Sequence, residues 1–145
     1  MLLANKTVAK HIGFSKKNTL PFIYRVHDLP DNEKILSLNS IVKSLGYSIN
    51  NKNPNSLSKS LNNIIKNMKG KNEQQMIETL IIQSMAKAVY TTKNIGHYGL
   101  GFDYYSHFTS PIRRYPDLIT HRLLEKYLYN PKGPYINKLE EVCKH

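Results

Sequence analysis

The sequence predicts an α+β fold in which helices pack on a small sheet. Three observations carry that reading. Several segments repeat apolar residues at three- and four-residue spacing, the period of a helix that buries one side. A short segment near the start alternates in the strand manner. A stretch at 91–110, with three glycines, has no helical period at all. With 145 residues and 40% hydrophobic content, the chain is sized for one domain with a core of its own.

Residues 1–14 read as a helix, with Leu2, Leu3, Val8, Ala9 and Ile12 roughly on one side. Pro21 to His27 alternates as a strand, and Asp28-Leu29-Pro30-Asp31 turns the chain. A second helix runs from Asp31 to Leu45 on Ile35, Leu38, Ile41, Val42 and Leu45, with Gly46 placed to end it. Residues 47–55 are a polar linker. Ser56 or Ser58 then caps a helix carrying Leu57, Leu61, Ile64, Ile65 and Met68, closed by Gly70. The strongest helical period spans Asn72 to Val89, with Met76, Leu80, Ile81, Met85 and Ala88 as its buried stripe. Short strands are expected at Tyr98–Phe102 and Ser106–Phe108. From Ser110 to Leu128 the pattern is helical again. Pro116 either kinks that helix or marks its true first turn, because proline has no N–H to donate to Ile112. Asn130 to Pro134 is a loop before a last helical start.

The formal net charge is +11, which favours a polyanionic partner, a nucleic acid or an anionic membrane face. Charged residues are only 21% of the chain, so this is not a disordered polybasic tail. Seventeen lysines against four arginines fit a bias in base composition, but three of the four arginines fall within ten residues of one another. A single cysteine, Cys143, excludes an internal disulfide and a cysteine-built zinc site. No apolar run approaches the ~18 residues of a membrane span, and Met1 to Ala4 is too short for a secretory signal. The expected location is the cytoplasm, with no membrane as partner.

Chemistry is concentrated in His107-Phe108-Thr109-Ser110-Pro111-Ile112-Arg113-Arg114-Tyr115-Pro116-Asp117-Leu118-Ile119-Thr120-His121-Arg122. Ile112 to Tyr115 lies at a helix entrance, where outward N–H groups and two adjacent arginines suit a phosphate. The planar guanidinium donates two parallel hydrogen bonds and stays charged. Arg113 and Asp117 are four apart, as are Asp117 and His121, so on a helix one carboxylate could orient both. The same spacing also describes a plain ion pair on a helix surface. Tyr104 and Tyr105 are candidates to stack a base, and equally suit half-buried packing at a strand edge. His97, His107 and His121 form no HxH or HxxxH pair, and fit hydrogen bonding better than metal ligation.

HFTSPIRRYPDLITHR resembles the signature of the RNB catalytic domain, found in the ribonuclease II/ribonuclease R family of processive 3'-to-5' exoribonucleases. MLLAN at 1–5, IYRVHDLP at 23–30, the Met76 to Tyr90 helix and GHYGLGFDYYSHF at 96–108 resemble successive pieces of the same domain, in order. The resemblance covers essentially the whole chain. Its Arg-Arg-Tyr-Pro-Asp wording, after Gly-His-Tyr-Gly-Leu, is nearer to the ribonuclease R branch. It implies hydrolysis of RNA from the 3' end to nucleoside 5'-monophosphates, with single-stranded RNA as the partner. It also implies two divalent metals, usually Mg²⁺, held by an aspartate cluster. Arg113 is the match for the arginine that contacts the scissile phosphate and stabilises its developing charge, and Arg114 is the second candidate. His107, Ser110, Tyr105, Tyr115 and Arg122 are the further RNA-binding candidates.

The family's aspartate cluster and base-clamping aromatics are expected upstream of the MLLAN-like segment, and a further glutamate beyond His145. Cold-shock-like and S1 domains are missing as well. The four aspartates here, Asp28, Asp31, Asp103 and Asp117, are not a cluster. Residues 1–145 therefore read as the C-terminal portion of a larger RNB catalytic domain, with its Mg²⁺ ligands outside the chain and the missing N-terminal half as a second partner. Little or no hydrolysis is expected of the chain alone. A rival expectation is a non-catalytic RNA-binding module, and a third is a remnant that exposes faces its other half would cover.

Overall fold

The computed structural model describes residues 1–14, 20–129 and 139–144. In chain order its elements are α1 (Leu2–Gly13), β1 (Tyr24–Val26), α2 (Asn32–Ser44), α3 (Pro54–Met68), α4 (Gln74–Ser84), β2 (Val89–Thr91), a 3-10 turn at Tyr98–Leu100, α5 (Tyr115–Tyr129) and α6 (Leu139–Lys144). The fold is α+β. The loop expected at 130–134 lies outside the described residues. No helix among the described residues is long and apolar enough to cross a membrane. The chain divides into two compact units, Met1–Asp28 with Lys87–His145, and Leu29–Ala86.

The Leu29–Ala86 unit is a helical cluster in which α2 and α3 both pack on α4. Asp31 caps α2, its Oδ1 accepting the Glu33 N–H at 3.0 Å. Ile35, Leu38 and Val42 form the buried side, and Gly46 follows with φ +83°, a left-handed exit that L side chains resist. Pro54 opens α3, two residues before the first serine expected as a cap. Ser56 sits inside the first turn, where its Oγ accepts the Asn53 N–H at 3.0 Å. Leu57, Leu61, Ile64 and Met68 are buried along it.

The expected helix to Val89 is shorter and rotated. It leaves helical geometry at Met85, and Ile77, Ile81 and Ser84 are its buried positions, while Met76 is exposed. Val89-Tyr90-Thr91 becomes β2 instead, because a β-branched and aromatic run finds a strand partner that a single-segment period cannot reveal.

In the other unit β1 and β2 run antiparallel, with Tyr24 opposite Thr91, Arg25 opposite Tyr90 and Val26 opposite Val89. Ala9, Ile12, Phe22, Ile23, Tyr24, Val26, Ile119, Leu123 and Leu139 make one apolar core from α1, β1, α5 and α6. The strand is shorter than the 21–27 alternation because its partner has only three residues. Leu2 and Leu3 are exposed, and Asn5 takes the buried place expected for them. The strands expected at Tyr98–Phe102 and Ser106–Phe108 are absent. A 3-10 turn and a His97–Phe102 bridge replace the first. The second runs extended past β1 with two ties, Arg25 N–H to Tyr105 O at 3.0 Å and Ser106 Oγ to Ile23 O at 2.6 Å. Pro116 stands in the first turn of α5, the second of the two roles open to it, and the helix continues unbroken to Tyr129.

Candidate nucleic-acid interface

Pro111 limits Ser110 to extended backbone and contributes no N–H, so the chain must turn before α5 can start. It does so over Pro111 to Arg113, with the Arg113 and Arg114 amides reaching Ser110 O at 3.4 and 3.2 Å. Asp117, in the first turn of α5, is fully buried. Its Oδ2 accepts the Ser110 N–H at 2.8 Å and the Arg114 Nη2 at 2.9 Å.

This corrects the helix-spacing reading. Asp117 pairs with Arg114, three residues back, and not with Arg113: both arginines precede the helix, so the turn over Pro111 to Arg113 and not helical spacing decides which one reaches the carboxylate. Nor does Asp117 orient His121, whose Nε2 bonds Phe108 O at 2.7 Å while its ring stacks on Phe108 with centroids 4.0 Å apart. Arg113 is left exposed, beside Ile112, which is wholly so, and Tyr115. Arg122 is also exposed, and seven residues separate it from Tyr115, so both sit on one side of α5 about 10 Å apart along its axis.

The other candidates face inward. His107 Nδ1 lies 2.7 Å from the Tyr90 hydroxyl, and its ring meets Tyr90 and Tyr105 edge to face. Burial, and next the Arg114 charge, push the His107 imidazole down to about 4, so it is neutral at neutral pH. Tyr105 cannot stack a base. It is 5% exposed, its ring meets His97, Phe102 and His107, and its hydroxyl receives the Asn5 amide at 3.1 Å. Asn5 Oδ1 also accepts the Phe108 N–H at 3.0 Å, so α1 holds the segment leading to the turn.

Three members of this network escaped sequence reasoning. Asn5 breaks the apolar side of α1, a signal that was available. Arg25, the one arginine outside the signature, lies over the Tyr90 ring with its Cζ 4.5 Å from the centroid. Tyr90 was placed at the edge of a helix. Burial raises its hydroxyl above the ordinary tyrosine value, partly opposed by Arg25 and Arg114.

The donor set does not suit a pair of divalent cations. Among the described residues no three His, Cys, Asp or Glu side chains converge. The one buried carboxylate, Asp117, already holds Arg114 and Ser110 through Oδ2. The turn itself can offer a guanidinium to an anion, flanked by apolar and aromatic surface.

The RNB domain family model matches residues 1–130. The chain belongs to the RNB domain family. Ribonuclease R of Aquifex aeolicus (strain VF5) is 42% identical over 149 residues, covering all of this chain and 20% of that protein. The Escherichia coli (strain K12) ribonuclease R is 34% identical over 148 residues, covering all of this chain and 17% of its own length. This chain thus spans about a fifth of those curated relatives. Among solved structures, Mycoplasma genitalium RNase R in complex with ribose methylated single-stranded RNA matches with TM-score 0.82 at 31% identity, over 99% of this chain and 23% of that one. Yeast Ssd1, a pseudonuclease, matches with TM-score 0.80 at 26% identity, over 98% of this chain and 18% of that one. The RNB resemblance drawn from the signature is confirmed.

Proposed function

We propose that this chain is the phosphate-engaging, C-terminal portion of a ribonuclease R-like catalytic domain, which hydrolyses RNA from the 3' end to nucleoside 5'-monophosphates. One observation carries it: the family signature forms a turn in which Arg113 faces outward while its neighbour Arg114 is held by a buried carboxylate. Arg113 contacts the phosphodiester, and Tyr115 and Arg122 extend the contact along the strand. Mg²⁺ and its aspartates belong to sequence outside this chain, in keeping with its one-fifth share of the relatives' length. The chain alone binds single-stranded RNA and does not cleave it.

The test uses purified chain, 3'-labelled single-stranded RNA and Mg²⁺, with Arg113→Ala as the control. The expected result is binding whose logarithm falls linearly with log salt, and no mononucleotide release. Release that depends on Mg²⁺ and Arg113 overturns the incompleteness. Affinity indifferent to salt, or to Arg113, overturns the phosphate role. A second reading, a non-catalytic RNA-binding module, is favoured by the unsuitable donor set and by the likeness to a pseudonuclease. It differs in one outcome. Adding the upstream sequence of the same open reading frame restores cleavage in the first reading and not in the second.

A further inference from the structure

We infer that Asp117 is the positioning residue of the Ser110 to Arg114 turn: it draws Arg114 inward and thereby points Arg113 at the RNA phosphate. The inference deepens the reading above and rests on it.

The turn's own backbone bonds are long, with both amides reaching Ser110 O at more than 3 Å. The contacts to Asp117 Oδ2 are shorter, 2.8 Å from Ser110 and 2.9 Å from Arg114, and both are charge-assisted. One oxygen thus grips the turn at its first and last residues. Asp117 is itself enclosed by packing. It is fully buried, and the next turns of α5 place Ile119, Thr120 and Leu123 in the interior. The Thr120 hydroxyl further ties the helix start by donating to Pro116 O at 2.9 Å.

Two adjacent arginines on a free loop repel each other, and neither guanidinium is held in place. With Arg114 committed to Asp117, its side chain only 22% exposed, a single guanidinium is left facing out. Ordering the turn before RNA arrives lowers the entropy lost on binding. Asp117 acts on RNA only through Arg113.

The experiment measures affinity of the full chain for single-stranded RNA across salt concentrations, for the parent, Arg113→Ala, Asp117→Asn and the double variant. Arg113→Ala loses about tenfold in affinity, the size of one charged hydrogen bond, and about 0.7 from the log–log salt slope. Asp117→Asn loses the ion pair and leaves Ser110 only a neutral, weaker acceptor in place of the carboxylate. It gives a comparable loss, and the double variant binds no worse than Arg113→Ala alone, because the two residues share one contact. Additive losses overturn the inference. If Asp117→Asn does not fold, Arg114→Gln removes the same ion pair from the more exposed side, and its loss is likewise absorbed by Arg113→Ala. Amide exchange without RNA supplies the independent arm: Ser110 exchange accelerates in Asp117→Asn while Leu123 exchange does not. Unchanged Ser110 exchange also overturns the inference. A parent chain that binds no RNA overturns the phosphate role of Arg113, a failure separable from an unresponsive Ser110.

Discussion

The two units put different chemistry in the same kind of position. In Leu29–Ala86 the buried side chains of α2, α3 and α4 are apolar except Ser84, whose hydroxyl turns back to the Ile81 carbonyl of its own helix. In the other unit Asn5, Ser106, Asp117 and Thr120 are buried as well, and three of them reach a different segment of chain. Apolar burial stabilises without direction. A buried polar group is costly unless its partner is in one place, so it fixes geometry as well as stability. The helical cluster behaves as scaffold, and the candidate interface lies where the polar ties are.

The largest expected effect breaks the scaffold. Leu61 is buried in the apolar stripe of α3, and Leu61→Ala is expected to cost about 3 kcal/mol from lost transfer and the cavity left behind. Denaturant unfolding measures that cost. Below its new midpoint the variant binds RNA as the parent does, and a fall in affinity there would show that the helical cluster takes part in binding.

A smaller loss of stability should carry a larger loss of binding in the other unit. Asn5→Ala leaves the Tyr105 hydroxyl and the Phe108 N–H without their partner, at about 1–2 kcal/mol. Because those atoms hold the approach to the Ser110 turn, RNA affinity is expected to fall several-fold in the folded variant. Calorimetry beside an RNA titration decides it. Stability lost with affinity intact would make Asn5 part of the scaffold too.

The contrast also explains what could be read in advance. Both ends of α2 and the end of α3 are written locally, in Asp31, Gly46 and Gly70, because caps and left-handed exits depend on neighbours in sequence, while α3 starts at Pro54, ahead of the serines expected to cap it. The end of α4 was not legible. Met85 and Ala88 continue a helical spacing up to Val89 by coincidence, and only pairing with β1, some 65 positions away, makes Val89 to Thr91 a strand. In the interface a helix entrance with an exposed Arg113 was legible, whereas the inward turn of Arg114, expected to face out beside it, was not. Helix spacing gives the wrong partner for Asp117 because Arg113 stands two residues outside the helix. Arg25 and Tyr90 were silent for a similar reason, since their roles rest on partners in other segments of the chain, and Asn5 showed only as a break in the apolar side of α1.

The finest test of the comparison is acid. His107 has its imidazole held near 4, against 6.5 when unfolded, first by burial and then by Arg114. Between those values the unfolded chain binds a proton that the folded chain refuses, so unfolding takes up protons and stability rises with pH. The contribution is whole above about 6.5 and is lost as pH falls toward 4. Tm measured from pH 4 to 7 should therefore climb through that window, and His107→Gln, which cannot titrate, should flatten the climb. His97 is lowered in the same direction by its own burial, so part of the slope remains in the variant. An unflattened profile would mean that His107 is solvated in solution, and that the tie from Tyr90 through His107 does not order the approach to Arg113.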